Sequence, residues 1–180
     1  DVRISEDLIK QVAESYRKMR NTFRFLLGNL FDFNPETDLV AYEDLNEVDK
    51  FMMIRLNELT KELKSAYEEY RFDDVFKTVN NYISNDLSAF YLDFTKDILY
   101  IEKADSQARR SIQTVLYHHV YDMCRLLAPV IPHTADEVYS YIPGHTEISV
   151  YLTDMPVVKE YANAAEVTTK WSQFLSLRHD

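Results

Sequence analysis

Apolar residues recur along this chain at helical spacing. Leu8, Val12, Tyr16, Met19, Phe23, Leu26 and Leu30 follow one another at intervals of three and four, which puts them on one face of an α-helix. Ser5, followed by Glu6 and Asp7, supplies an N-cap side chain and acids for the first turn. Asn34-Pro35 breaks the pattern, and a linker runs to about Asn46. A second stripe, Val48, Met52, Arg55 or Leu56, Leu59, Leu63, Ala66 and Tyr70, keeps the same spacing. A third helix is expected from an N-cap near Asp73, with Val75, Phe76, Val79, Tyr82, Ile83, Leu87, Phe90, Tyr91, Phe94 and Ile98 facing inward and a kink at Asn85, Asp86 and Ser88. Ser106 or Asp105 caps a fourth helix, Ile112, Leu116, His119, Met123, Leu126, which Pro129 stops. Pro132 suits the first position of a short fifth. The alternation Ile148, Val150, Leu152 is strand-like but short and without a partner strand, so it reads as extended linker. The fold predicted is all-α, a helical bundle of four to five long helices. Residues 1–160 make up the helical domain; 161–180, with Val167, Trp171, Phe174 and Leu175 on an apolar pattern, read as the start of a C-terminal helix or linker that the chain cuts short.

Composition narrows this picture. A length of 180 residues suits one domain with a substantial core. Only Gly28 and Gly144 are glycine, too few for the left-handed turns of an all-β protein. No apolar run approaches the roughly 20 residues of a membrane span, and no secretory leader is visible. The single cysteine, Cys124, has no partner for a disulfide and fits a reducing cytoplasm. The chain opens on Asp1 and closes on Arg178, His179 and Asp180 within an apolar pattern, so a fragment of a longer protein is expected.

Candidate chemistry is sparse, and no catalytic or metal site is expected. Two distant glycines cannot build a phosphate-cradling loop. No glutamate is followed by histidine three residues later, as bundle di-iron sites require. His118 and His119 are neighbours on a helix, about 100° apart, and cannot share a metal. His118 and Asp122 fit a helix-stabilising contact better than an acid-base pair, Cys124 fits a small buried hydrophobe, and Trp171 fits a packing anchor.

Charge is the informative departure. Thirty acids against twenty bases give −10, yet Tyr16 to Arg24 holds four bases and no acid, whereas Asp32 to Asp49 holds seven acids and no base. With Arg17 at 0° on a helical wheel, Arg20, Asn21 and Arg24 fall at roughly 300°, 40° and 340°, while the core stripe centres near about 220°. Arg17, Arg20, Asn21 and Arg24 therefore form one face turned away from the core, with Lys18 at its margin. Arginine forks suit phosphate oxygens, and an asparagine amide suits a base edge.

Three blocks carry a family resemblance. Asp1 to Asn34 (DVRISEDLIKQVAESYRKMRNTFRFLLGNLFDFN) closely resembles the opening of the anticodon-binding domain in bacterial isoleucyl-tRNA synthetases. Leu87 to Tyr100 (LSAFYLDFTKDILY) and Leu126 to Tyr139 (LLAPVIPHTADEVY) agree with it, the latter through a Leu-x-Pro-x-x-Pro pattern of class I synthetases. The segment Tyr16 to Thr22 favours the isoleucine enzymes over those for valine, leucine and methionine. The resemblance implies a parent ligase that attaches isoleucine to its tRNA with ATP and magnesium. The HIGH and KMSKS motifs, and the zinc segment many bacterial members carry, are absent from this sequence; no cofactor is expected in the fragment itself. What it leaves to this chain is the anticodon stem-loop of isoleucine tRNA, met by Arg17, Arg20, Asn21 and Arg24, with the remaining domains of the parent as further partners and no membrane. The acidic remainder should repel tRNA from other surfaces. The alternative is a helical protein-interaction or scaffold module with no RNA binding, which the net acidity favours.

Overall fold

The computed structural model describes residues 4–178, and the two chain ends, residues 1–3 and 179–180, lie outside the described residues. Helices make up the architecture, with no β-strand among those residues. Ser5 caps α1 (Glu6–Gly28) by accepting the Leu8 amide at 3.2 Å. Met19, Phe23, Leu26 and Leu30 are buried as the spacing predicts. Leu8 and Val12 are not. They are 48% and 59% exposed, and with Ile4 and Ile9 they form an apolar overhang that no other described element covers.

Helix α2 (Glu47–Glu68) is the central element, packed on α5 (Gln107–Leu127) on one side and on α7 (Ala164–Arg178) on another. Its stripe Val48, Met52, Leu56, Leu59, Leu63 and Ala66 is buried. Tyr70, expected to extend the stripe, instead lies past the helix end at a φ of +58° and is 80% exposed. The acidic linker is pinned to α5 by its charge. The Arg109 guanidinium reaches Asp32 through both terminal nitrogens at 2.6 and 3.1 Å, Gln113 donates to Asp32 at 2.8 Å, and Arg110 lies 3.6 Å from Asp38. Burial works against the Asp32 charge, but hydrogen bonds from Arg109 and Gln113 outweigh it and hold the carboxyl below its ordinary range.

The third predicted helix is a single rod with an unusual centre. Helix α3 (Phe72–Asn81), a π-helical segment (Tyr82–Leu92) and α4 (Asp93–Ile101) follow one another with helical backbone angles at both junctions. The expected kink is thus a stretch of wider winding, and the N-cap position falls on Arg71 rather than Asp73. The buried row explains the winding. Val75, Val79, Ile83, Leu87, Tyr91, Thr95 and Leu99 are all buried, each four residues after the last. An α-helix overshoots a full turn by about 40° in four residues, so over six such steps the row would wind most of the way around the rod. Turns closed by i→i+5 bonds take more residues each and bring the average towards four. The inward positions after the segment are therefore Thr95 and Leu99; Phe94, predicted to face inward, is 47% exposed.

Ser106 caps α5 by accepting the Arg109 amide. Pro132 opens α6 (Pro132–Ser140), which meets α1 through a 2.7 Å hydrogen bond between the Tyr16 and Thr134 hydroxyls. The stretch read as extended linker contains a 3₁₀ turn, Val150–Leu152, with Val150 buried, because Asp136 on α6 accepts from the Ser149 hydroxyl at 2.6 Å and the Val150 amide at 3.0 Å. In α7 the Trp171 ring packs on Phe51 and Phe90 with centroids 6.3 and 6.2 Å away, the anchoring its sequence position suggested.

Candidate nucleic-acid interface

Helix α1 runs past the α3–π–α4 rod, and between them lies an open groove of about 630 Å³. One wall is α1: Glu14, Arg17, Lys18, Asn21, Thr22 and Phe25. The opposite side is the rod, through Asn80, Ser88 and Leu92. The groove exists because Asn80 and Ser88 are short where the rod's neighbouring row is Val79, Ile83, Leu87 and Tyr91.

All four residues of the predicted basic face are exposed, but the groove divides them. Arg17 and Asn21 line it, while Arg20 and Arg24 stand on the outer flank of α1. Arg17 is paired with Glu14 at 2.6 Å, one turn earlier, with both side chains about two-thirds exposed at 64% and 67%, an arrangement worth little in water. Arg20 and Arg24 make no ion pair among the described residues, so their charge is free for an anion. Lys18 was marginal on the wheel; its Nζ crosses the groove to the Ser84 hydroxyl at 2.5 Å. Phe25 was not singled out from the sequence. Glu14, Asn21 and Phe25 fall near 60°, 40° and 80° on the same wheel, about where the groove opens. That signal was present but had no meaning until the rod was placed opposite.

The groups weighed for catalysis are engaged in structure. His119 is fully buried; because a carbonyl can only accept, Nδ1 donates to Val115 O at 2.7 Å, and Nε2 then accepts from the Tyr82 hydroxyl at 2.8 Å. Burial pushes its pKa down to about 4 and keeps the ring neutral. Burial, with Lys159 nearby, does the same for His118. Asp122 pairs with Arg125 at 2.6 Å rather than with His118. Burial pushes the Cys124 thiol up to about 12, where it stays protonated and inert. Among the described residues no group of three or more His, Cys, Asp or Glu side chains is placed to hold a metal ion. No described helix is long and apolar enough to cross a membrane.

The bundle thus carries an exposed cationic flank, Arg20 and Arg24, beside an open groove, and comparison with known proteins gives its class. Residues 49–178 match the family described as "Anticodon-binding domain of tRNA ligase", and the chain belongs to it. The chain is also 57% identical over all 180 residues to the isoleucine–tRNA ligase of Bacillus cytotoxicus and 56% identical to that of Bacillus cereus. It spans only 20% of the length of each of these relatives. The basic face on α1 precedes the residues matched to the family and is aligned only in the whole-chain comparison.

Proposed function

We propose that this chain is the part of an isoleucine–tRNA ligase that grips the anticodon stem and loop of isoleucine tRNA. The observation that carries the reading is the pair Arg20 and Arg24, exposed and without ion pairs among the described residues, on a molecule of net charge −10. They stand one turn apart, so two guanidinium forks can meet successive phosphates, with Arg17 and Asn21 around the helix toward the groove. The acidic body repels the same phosphates elsewhere, which limits the orientations the RNA can take. In the longer protein the reaction is attachment of isoleucine to its tRNA with ATP and magnesium, in the cytoplasm. The apolar overhang Ile4, Leu8, Ile9 and Val12 suits burial against the remaining domains of that protein.

The test is titration of this chain with an isoleucine anticodon stem-loop by gel shift at several salt concentrations. Binding should weaken as salt rises, and Arg20→Ala with Arg24→Ala should flatten the logarithmic salt slope by about 1.5 to 2, as two lost phosphate contacts require. Equal affinity and slope before and after the double substitution would sink the assignment of this face.

A further inference from the structure

A second cavity, with no residue of α1 in its lining, lies where the linker between α1 and α2 meets α5 and the segment ahead of α7. Its volume is about 410 Å³, within the range of about 300 to 1,000 Å³ usual for small-ligand sites. Hydrogen bonds around the gap hold its walls. The Thr114 hydroxyl donates to Arg110 O at 2.9 Å and accepts the Val40 amide at 3.0 Å, which fixes the linker on α5. The Asn57 side chain, on α2, donates to Lys159 O at 2.6 Å and accepts the Lys159 amide at 2.7 Å, which fixes the later segment on α2. Tyr42 joins the two stretches: its hydroxyl donates to Ala162 O at 3.3 Å, and its ring stacks on Tyr161 with centroids 4.4 Å apart.

Leu39, Val40, Leu45 and Met53 give the cavity apolar surface, and the hydroxyl of Thr114 is already engaged on both sides. Other polar groups are not. Neither His118 nitrogen has a hydrogen bond among the described residues, and burial, with Lys159 nearby, keeps the ring neutral with one N–H to give. The Lys159 ammonium makes no ion pair among the described residues, although its backbone is clamped at both N–H and carbonyl. Asp122, one turn after His118, is taken by Arg125 at 2.6 Å. The Tyr161 hydroxyl, also without a hydrogen bond among the described residues, is kept protonated by burial, its pKa pushed up to about 12. No Asp or Glu lines the gap. Unmet donors beside apolar surface, with a single cation and no acid, suit an apolar molecule that carries one negative charge. We infer that this cavity binds a small monocarboxylate, its hydrocarbon or aryl body against Val40, Leu45 and Met53 and its carboxylate on the His118 N–H and the Lys159 ammonium. A phosphate dianion would leave one charge unmatched. A free amino acid would set its own ammonium beside Lys159 with no acid to receive it. Once bound, the ligand adds to the Tyr42 contacts that tie the α1–α2 linker to the segment entering α7.

The experiment follows NMR spectra of the isotope-labelled chain as phenylpropionate, phenylpropionamide and phenylalanine are added separately in millimolar excess. Phenylpropionate should shift the His118 ring signals and the amides of Val40, Thr114 and Lys159 saturably, with a dissociation constant of about 1 mM or below. The uncharged amide and the zwitterionic phenylalanine should each bind at least about tenfold more weakly. Lys159→Met, at an exposed position whose backbone clamps remain, should weaken phenylpropionate by about tenfold, and His118→Phe should also weaken it. An anticodon stem-loop should bind the phenylpropionate-saturated chain as well as the free one, since no lining residue lies on α1. Four results overturn the site: no saturable shifts with phenylpropionate, shifts only at residues outside the lining, equal affinity for phenylpropionate and its amide, or affinity unchanged by Lys159→Met. Displacement of phenylpropionate by the stem-loop would give the cavity to RNA and overturn the small-ligand assignment as well.

Discussion

Asp49 gives the sharpest test of how this core is held. It stands in the first turn of α2, 1% exposed, with Oδ1 accepting from the Tyr91 hydroxyl at 2.6 Å and Oδ2 without a partner among the described residues. Burial raises its pKa from 3.8 to about 6, and the Tyr91 hydrogen bond only partly offsets this. A carboxyl with a raised folded pKa binds its proton more tightly in the folded chain than in the unfolded one. Its contribution to stability is therefore most favourable below about 3.8, falls as pH rises through the interval to about 6, and stays low above it. The interval corresponds to roughly 3 kcal/mol. His118 and His119 act oppositely. Their pKa values are lowered from 6.5 to about 4, so stability rises as pH climbs from about 4 to 6.5, and the intact protein shows only the sum. Asp49→Asn removes the falling component alone. Urea denaturation of both proteins at intervals from pH 4 to 7.5 isolates most of it: the variant should gain about 2.4 kcal/mol on the parent between the two ends, a relative midpoint shift of about 1.2 M at a slope near 2 kcal/mol/M. Tyr91→Phe, which removes the one group lowering this pKa, should move the parent's fall to higher pH. Parallel stability curves for the parent and Asp49→Asn across this range would refute the reasoning, since they require Asp49 to ionise as it does in water.

Two further outcomes follow from named geometry. Arg109→Met should cost about 3 to 5 kcal/mol in thermal or urea unfolding, because Asp32 keeps its partial burial and loses its fork, and Arg109→Lys should recover little of it because an ammonium cannot make both bonds. Gly144→Ala should destabilise by about 1 to 2 kcal/mol or more, since φ is +70° and the added Cβ would lie 2.5 Å from Pro35 Cγ; Gly28→Ala, with open space around its Cβ and a helical backbone, should be neutral or slightly stabilising.

Most of the fold was legible because its signals are local. Ser5 and Ser106 as caps, Pro132 as a helix start and the stripes of α1, α2 and α5 depend on residues within one or two turns of each other. What was misread depended on partners far along the chain. Leu8 and Val12 have helical spacing, but spacing cannot say whether a surface waits to cover them. Phe94 is placed inward by continuing an α-helical phase that the π segment shifts by one residue, whereas Ile98 still packs half-buried against the core. The same holds for the candidate site. The wheel finds which α1 residues point away from the core, but the division of the basic face and the place of Lys18 and Phe25 follow from where the rod lies, which no period in α1 contains.

The π segment also bears on how this domain can change in length. Each of its turns holds about a residue more than an α-helical turn, and the segment is exposed at Asn85 and Ala89. A homologous chain with one residue fewer between Asn85 and Ala89 can tighten the winding there and keep Val75 and Leu99 facing the same core. Indels that would rotate half of an ordinary helix out of register are absorbed within a turn, so the rod can gain or lose residues while both of its ends keep their neighbours.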